Sequence, residues 1–135
     1  MNGDQQIISK SFFGKSSCLV VQQTQAQDIY FRVGKKEIKG WHWSVAKLKA
    51  VEVAEIIALL HLRTEVCRFY HTYKNNEQHI FVNRKAEKVF VRIGEQAKPL
   101  DLGEQELLRI ILETFLANCY DLVLSCEKGE RRDRR

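Results

Sequence analysis

The chain has 135 residues, 44% of them hydrophobic, which suits one domain with a genuine apolar core. Its net charge of +5 favours an anionic partner (nucleic acid, an acidic membrane surface or an acidic protein), with a basic domain that binds none of these as the plain alternative. No run of about 18 apolar residues is present, so no membrane-spanning helix is expected. The start, "MNGDQQIISKS", has neither the apolar stretch of a secretory signal nor the arginines of a transit peptide.

In chain order, "SSCLVVQQTQ" and "DIYFRV" read as strands. After the turn-like "GKK", "KGWHWSVAKL" alternates large and polar residues at period two. Ala50, Val53, Ile56, Ile57 and Leu60 then recur at helical spacing, and a linker is expected near "HLRTE". "EVCRFYHTYK" opens a second half rich in aromatic residues, followed by strands in "QHIFVNRKA" and "KVFVRIGEQ". "AKPLDL" holds the single proline, Pro99, which suits an edge or a strand entry. Leu107, Leu108, Ile111, Leu112 and Phe115 form the apolar stripe of a last helix, for which Gly103 and Glu106 supply half a capping box. Ile110 and Leu116 widen that stripe beyond the needs of one sheet and call for a partner subunit.

With three strand segments marked in the first half and four in the second, the order reads as roughly ββββα twice, an α+β domain with a tandem repeat over 10–62 and 65–125. Residues 1–9 are expected to be flexible, and the charged stretch 126–135, apolar-free after Cys126, to be disordered.

Catalytic patterns fail one by one. Cys18, Cys67, Cys119 and Cys126 show no zinc spacing. Cys18 and Cys67 lie in apolar runs and read as buried free thiols, which implies a reducing compartment. "GKSS" at 14–17 ends like a phosphate-binding loop, but the earlier glycine it needs is Ser9. Cys67 and His71 share a strand face yet sit too far apart for nucleophile and base, so a core thiol and an exposed imidazole are expected. His42, His61, His71 and His79 form no ligand cluster. The expectation is a non-enzyme with no metal and no cofactor.

The positive charge is concentrated. Between Tyr30 and Lys49 stand Arg32, Lys35, Lys36, Lys39, Lys47 and Lys49 against Glu37 alone. The second half repeats this with Arg68, Lys74, Arg84, Lys85, Lys88 and Arg92 against Glu77 and Glu87. Aromatic residues interleave with both sets. A sheet bearing cations and rings can meet the backbone and the base faces of single-stranded nucleic acid together. The alternative is that the rings fill the core and the lysines form a solvated face.

The stretch "GWHWSVAKLKAVEVAEIIALLHLRTEVCRFYHTY" resembles the Whirly family of single-stranded-DNA-binding proteins. The family's Tyr-Asp-Trp-Ser, Val-Thr-Glu-Ile and Cys-Glu-Phe-Phe-His segments look like Trp41-His42-Trp43-Ser44, Val53-Ala54-Glu55-Ile56 and Cys67-Arg68-Phe69-Tyr70-His71 here. "FGKSSCL" is similar to its Lys-Gly-Lys-Ala-Ala-Leu motif, with Phe13 in place of the first lysine. "KPLDLGEQELLRIILETFLANCYDLVL" is similar to its last strand and helix.

The resemblance implies two antiparallel four-stranded sheets, each followed by a helix. It also implies homotetramers joined through the helices, with single strands bound along sheet edges between subunits. Related folds bind guide RNA in trypanosomal mitochondria and single strands in the positive-cofactor class of coactivators, so RNA stays an alternative. Shorter hairpin loops, without the plant members' extended N-terminus and acidic tail, imply a bacterial, phage or organellar relative.

The expected function is sequence-tolerant single-stranded-DNA binding in repair, replication or recombination. The alternatives are RNA binding and an oligomeric scaffold whose basic face docks an acidic partner. The expected location is cytoplasmic or nucleoid-associated, or an organelle matrix if a transit peptide has been removed. Lys15, Arg32, Lys36, Lys39, Arg84, Lys85 and Arg92 are the expected phosphate contacts. Tyr30, Trp43, Phe81 and Phe90 are the expected stacking residues. Alternation puts Trp41 and Trp43 on one face and His42 and Ser44 on the other, with Trp43 the more structural and Trp41 the more available.

Overall fold

The computed structural model describes residues 6–120, with side chains from residue 8. The expected disordered stretch 126–135 and Cys126 lie outside the described residues, as do residues 1–5. Two four-stranded antiparallel meanders each end in a helix. The first contains β1 (Gln6–Phe13), β2 (Ser17–Thr24), β3 (Ile29–Glu37) and β4 (Gly40–Leu48), followed by α1 (Ala50–Leu60). The second contains β5 (Val66–Tyr73), β6 (Asn76–Lys85), β7 (Lys88–Ile93) and β8 (Gln96–Leu100), followed by α2 (Leu102–Cys119). The tandem ββββα reading holds. β1 begins at Gln6, so strand pairing reaches into the segment expected to be flexible.

Each strand turns alternate side chains to opposite faces. In the first sheet, Phe12, Leu19, Val21, Ile29, Phe31, Val33, Ala46 and Leu48 point inward. In the second, Cys67, Phe69, Ile80, Val82, Val89, Val91, Ile93 and Leu100 do the same. Val53, Ile56 and Leu59 of α1 and Leu108, Leu112 and Phe115 of α2 complete one continuous core. Ile110 is left exposed as expected, but Leu116 packs against the core instead of widening the stripe, and Leu107, expected within the stripe, is exposed in its place.

Buried polar side chains fasten the core's margins. Gln23, fully buried, donates to the Phe115 carbonyl at 2.9 Å and accepts from Asn118 at 2.8 Å, which holds the end of α2 on β2. Lys98 is buried at the start of α2, donating to the Pro99 carbonyl at 2.6 Å with Glu104 Oε2 at 3.5 Å. Pro99 stands in the edge strand β8, where its missing N–H costs no ladder bond.

The start of α2 corrects the expected cap. Asp101, not Gly103, is the N-cap: its Oδ1 accepts from Glu104 N at 2.9 Å, and Glu104 Oε1 accepts from Asp101 N at 3.0 Å. The apolar stripe marks only where α2 meets the core, and the helix runs a turn further back to a complete capping box. Asp101→Ala is expected to lower unfolding free energy by about 1 kcal/mol, read from the urea midpoint with an unchanged denaturant slope.

Candidate nucleic-acid interface

The outward face of the first sheet carries the aromatic cluster. Cross-strand register places Phe13 against Cys18, Cys18 against Gly34, and Gly34 against Trp43, with Lys36 opposite Trp41 one step along. Trp41 and Trp43, two apart on one strand, stack with ring centroids 5.7 Å apart. Phe13 meets Trp41 edge-on at 6.4 Å. Gly34 explains why this packing is possible. The Trp43 indole lies so close to its backbone that a Cβ there would stand 2.7 Å from the ring. The indole therefore fills the place of the missing side chain.

Arg32 places its guanidinium 4.9 Å from the centre of the Trp43 ring, a cation–π arrangement. Its Nε is buried without a hydrogen-bond partner, and Arg32 has no carboxylate partner among the described residues. Lys36 likewise has no carboxylate partner among the described residues. Farther along this face, Tyr30 stands opposite Lys47, which pairs with Asp28 at 3.5 Å. Trp41 keeps 36% of its surface exposed and Phe13 66%, while Trp43 is half-buried. Rings and cations that have no acidic partner among the described residues thus share one open surface.

The outward face of the second sheet is built the same way, more loosely. Arg68, Phe81 and Arg92 form one cross-strand row, with the Arg68 guanidinium 5.3 Å from the Phe81 ring centre. Phe90 stands between Asn83 and Pro99 on the same face. Tyr70 packs against His79 at 4.8 Å. Lys85 also falls on this face, at the end of β6.

No protein-family model and no curated sequence matches the chain. Solved structures do. The plant transcriptional regulator PBF-2 is similar over 90% of this chain and 87% of its own, with a TM-score of 0.70 at 10% identity. WHY3 from Arabidopsis thaliana is similar over 97% of this chain and 99% of its own, with a TM-score of 0.69 at 9% identity. The chain has the Whirly fold. Trypanosomal MRP1/MRP2 shares it, with a TM-score of 0.65 at 13% identity over 89% of this chain and 88% of its own.

Within the Whirly frame the expected site residues divide. Tyr30, Arg32, Lys36, Trp41 and Trp43 lie on the outward face of the first sheet, and Phe81, Phe90, Lys85 and Arg92 on that of the second. Lys15 and Lys39 are exposed in the turns after β1 and β3. Arg84 does not belong with them. It points inward, donating from Nη2 to the Leu59 carbonyl at 2.8 Å and from Nη1 to Gln105 Oε1 at 3.2 Å. It is a tie between β6 and both helices, because alternation turns it to the face opposite Phe81 and Lys85.

His71 is also corrected. It is not an exposed imidazole: Nε2 meets Glu52 Oε2 at 2.8 Å, and the other oxygen of Glu52 accepts from Lys49 N at 2.8 Å. Cys67, buried, donates to the Glu55 carbonyl at 3.3 Å, and burial pushes its thiol up to about 11. Thiol and imidazole are thus engaged separately, against nucleophile chemistry. Among the described residues no group of His, Cys, Asp and Glu side chains is placed to hold a metal, and no helix is long and apolar enough to cross a membrane.

Sequence reasoning missed Phe13, and it counted Arg68 in the second basic cluster without naming it as a contact. Phe13 was visible as the residue replacing a lysine in "FGKSSCL", and register alone shows that it joins the tryptophans.

Proposed function

We propose that the protein binds single-stranded nucleic acid, DNA in the first instance, without strict sequence preference, in repair, replication or recombination. The observation that carries this reading is the outward face of the first sheet, where stacked Trp41 and Trp43 stand beside Arg32 and Lys36, cations with no acidic partner among the described residues. Exposed rings accept the faces of unstacked bases, and every base has such a face, so this recognition tolerates sequence. Unpaired cations beside them neutralise phosphates and release counterions. A duplex hides its base faces and leaves the rings without partners.

The exposed Leu107 and Ile110 of α2 support assembly through the helices, and a homotetramer is the assembly that the resemblance implies. Trypanosomal MRP1/MRP2 and PBF-2 share the fold at similar distance, so fold likeness does not separate DNA from RNA.

The test is fluorescence anisotropy with a labelled oligo-dT strand, its duplex, and an RNA strand of equal length as competitor. The single strand is expected to bind more tightly than duplex, with affinity falling steeply and linearly in log salt. Equal binding of duplex and single strand, or no retention of oligo-dT at low salt, would overturn the proposal. Stronger competition by RNA would reassign the ligand to RNA.

A further inference from the structure

Three of the chain's four tyrosines, Tyr30, Tyr70 and Tyr73, line one cleft of about 1200 Å³. It runs between the exposed edge of β4 and the hairpin of β5 and β6, beside the start of α1. Gln78 ties the two sides together, donating to the Val45 carbonyl at 2.7 Å. Thr72, Asn76 and Gln78 add hydroxyl and amide groups to the lining, and Lys47 and Lys49 add cations.

The charges in this cleft largely cancel. Lys47 faces Asp28, and the carboxylate of Glu52 is taken up by His71 and the backbone of α1. A phosphate would find Lys49 as the one lining cation without a carboxylate partner among the described residues. A nucleobase suits the cleft better: tyrosine offers a flat apolar body with a polar tip, and amide and hydroxyl side chains match the mixed donors and acceptors of a base edge.

The cleft is also continuous with both outward faces. Tyr30 and Lys47 share the face of Arg32 and Trp43, and Tyr70 shares the face of Arg68 and Phe81. We infer that this cleft is a nucleobase site, in which a base of the bound strand leaves the outward face of the first sheet and stacks beside Tyr30 and Tyr70, with Tyr73, on the opposite face of β5, also lining the cleft. The inference rests on the single-strand reading given above. It adds a place within one protomer where the strand crosses from the first sheet to the second.

The experiment pairs a change in the protein with a change in the strand. Tyr70 and Tyr73 are 52% and 70% exposed, so Tyr70→Ala with Tyr73→Ala removes rings without opening the core. The double variant is expected to bind oligo-dT roughly tenfold or more weakly than the parent, and to match the parent on a strand of equal length that carries no bases. Tyr70→Phe with Tyr73→Phe is expected to keep most of the affinity. In parallel, a strand carrying 4-thiothymidine is expected to photocrosslink to Tyr30, Tyr70 or Tyr73. Full affinity of the alanine variant for oligo-dT, an equal loss on the base-free strand, or crosslinks confined to Trp41, Trp43 and Phe81 would overturn the cleft while leaving single-strand binding in place. A parent protein that retains no strand would overturn both.

Discussion

Replacing both Trp41 and Trp43 with alanine is expected to weaken oligo-dT binding by one to two orders of magnitude. A stacked base contributes roughly 1–3 kcal/mol, and two contacting rings act as one unit, so their losses do not simply add. The single variants should separate two roles. Trp43 covers Gly34 and carries the Arg32 guanidinium, so Trp43→Ala uncovers the sheet and costs stability as well as binding. Trp41 is the more open ring, held between Phe13 and Trp43, so Trp41→Ala should cost binding with a nearly unchanged urea midpoint. Affinity measured by anisotropy beside the unfolding midpoint of each variant distinguishes them. If Trp41→Ala binds like the parent, the stacking account of this face is wrong.

Arg84→Met is expected to do the opposite, destabilising the fold by about 3 kcal/mol with strand affinity of the folded fraction unchanged. The guanidinium serves the Leu59 carbonyl near the end of α1 and Gln105 of α2 together. Hydrogen bonds from a charged donor contribute about 1.5–3 kcal/mol each, and removing the donor leaves part-buried acceptors without it. Gln105 extends the tie by donating to the Glu87 and Leu100 carbonyls at 2.8 and 3.1 Å. Lysine should not restore the tie, since one ammonium cannot reach both acceptors in the fork geometry of arginine. Urea unfolding of Arg84→Met and Arg84→Lys reads the loss, and anisotropy below the transition reads the binding. A variant of full stability that binds weakly would return Arg84 to the phosphate contacts.

The contrast between Trp43 and Arg84 shows what the sequence could and could not reveal. Period-two alternation and the repeated order of strands and helix made the architecture legible, because those patterns follow from backbone geometry alone. Alternation also put Trp41 and Trp43 on one face. Which of two faces looks outward is a tertiary fact. Arg84 is one residue from Lys85 and equally basic, yet it turns to the helices because its strand neighbours Val82 and Ile80 face the core. The Glu52–His71 pair and the Gln23–Phe115 bond join residues far apart in the chain, and no local pattern announces them. The cap of α2 was legible in "DLGE" but lay a turn before the stripe that marks the helix. The clustering of three tyrosines in one cleft needs the approach of two sheets, which spacing cannot supply.

Both tryptophans of the chain lie on the proposed binding face, so intrinsic fluorescence reports directly on its occupancy. Titration of the protein with unlabelled oligo-dT at low salt is the most direct test of this account. Stacking of bases on Trp41 and Trp43 should quench the emission saturably, and added salt should restore it as the strand is released. Strand binding by anisotropy with no change in tryptophan emission would contradict the account, because the strand would then be held elsewhere on the molecule.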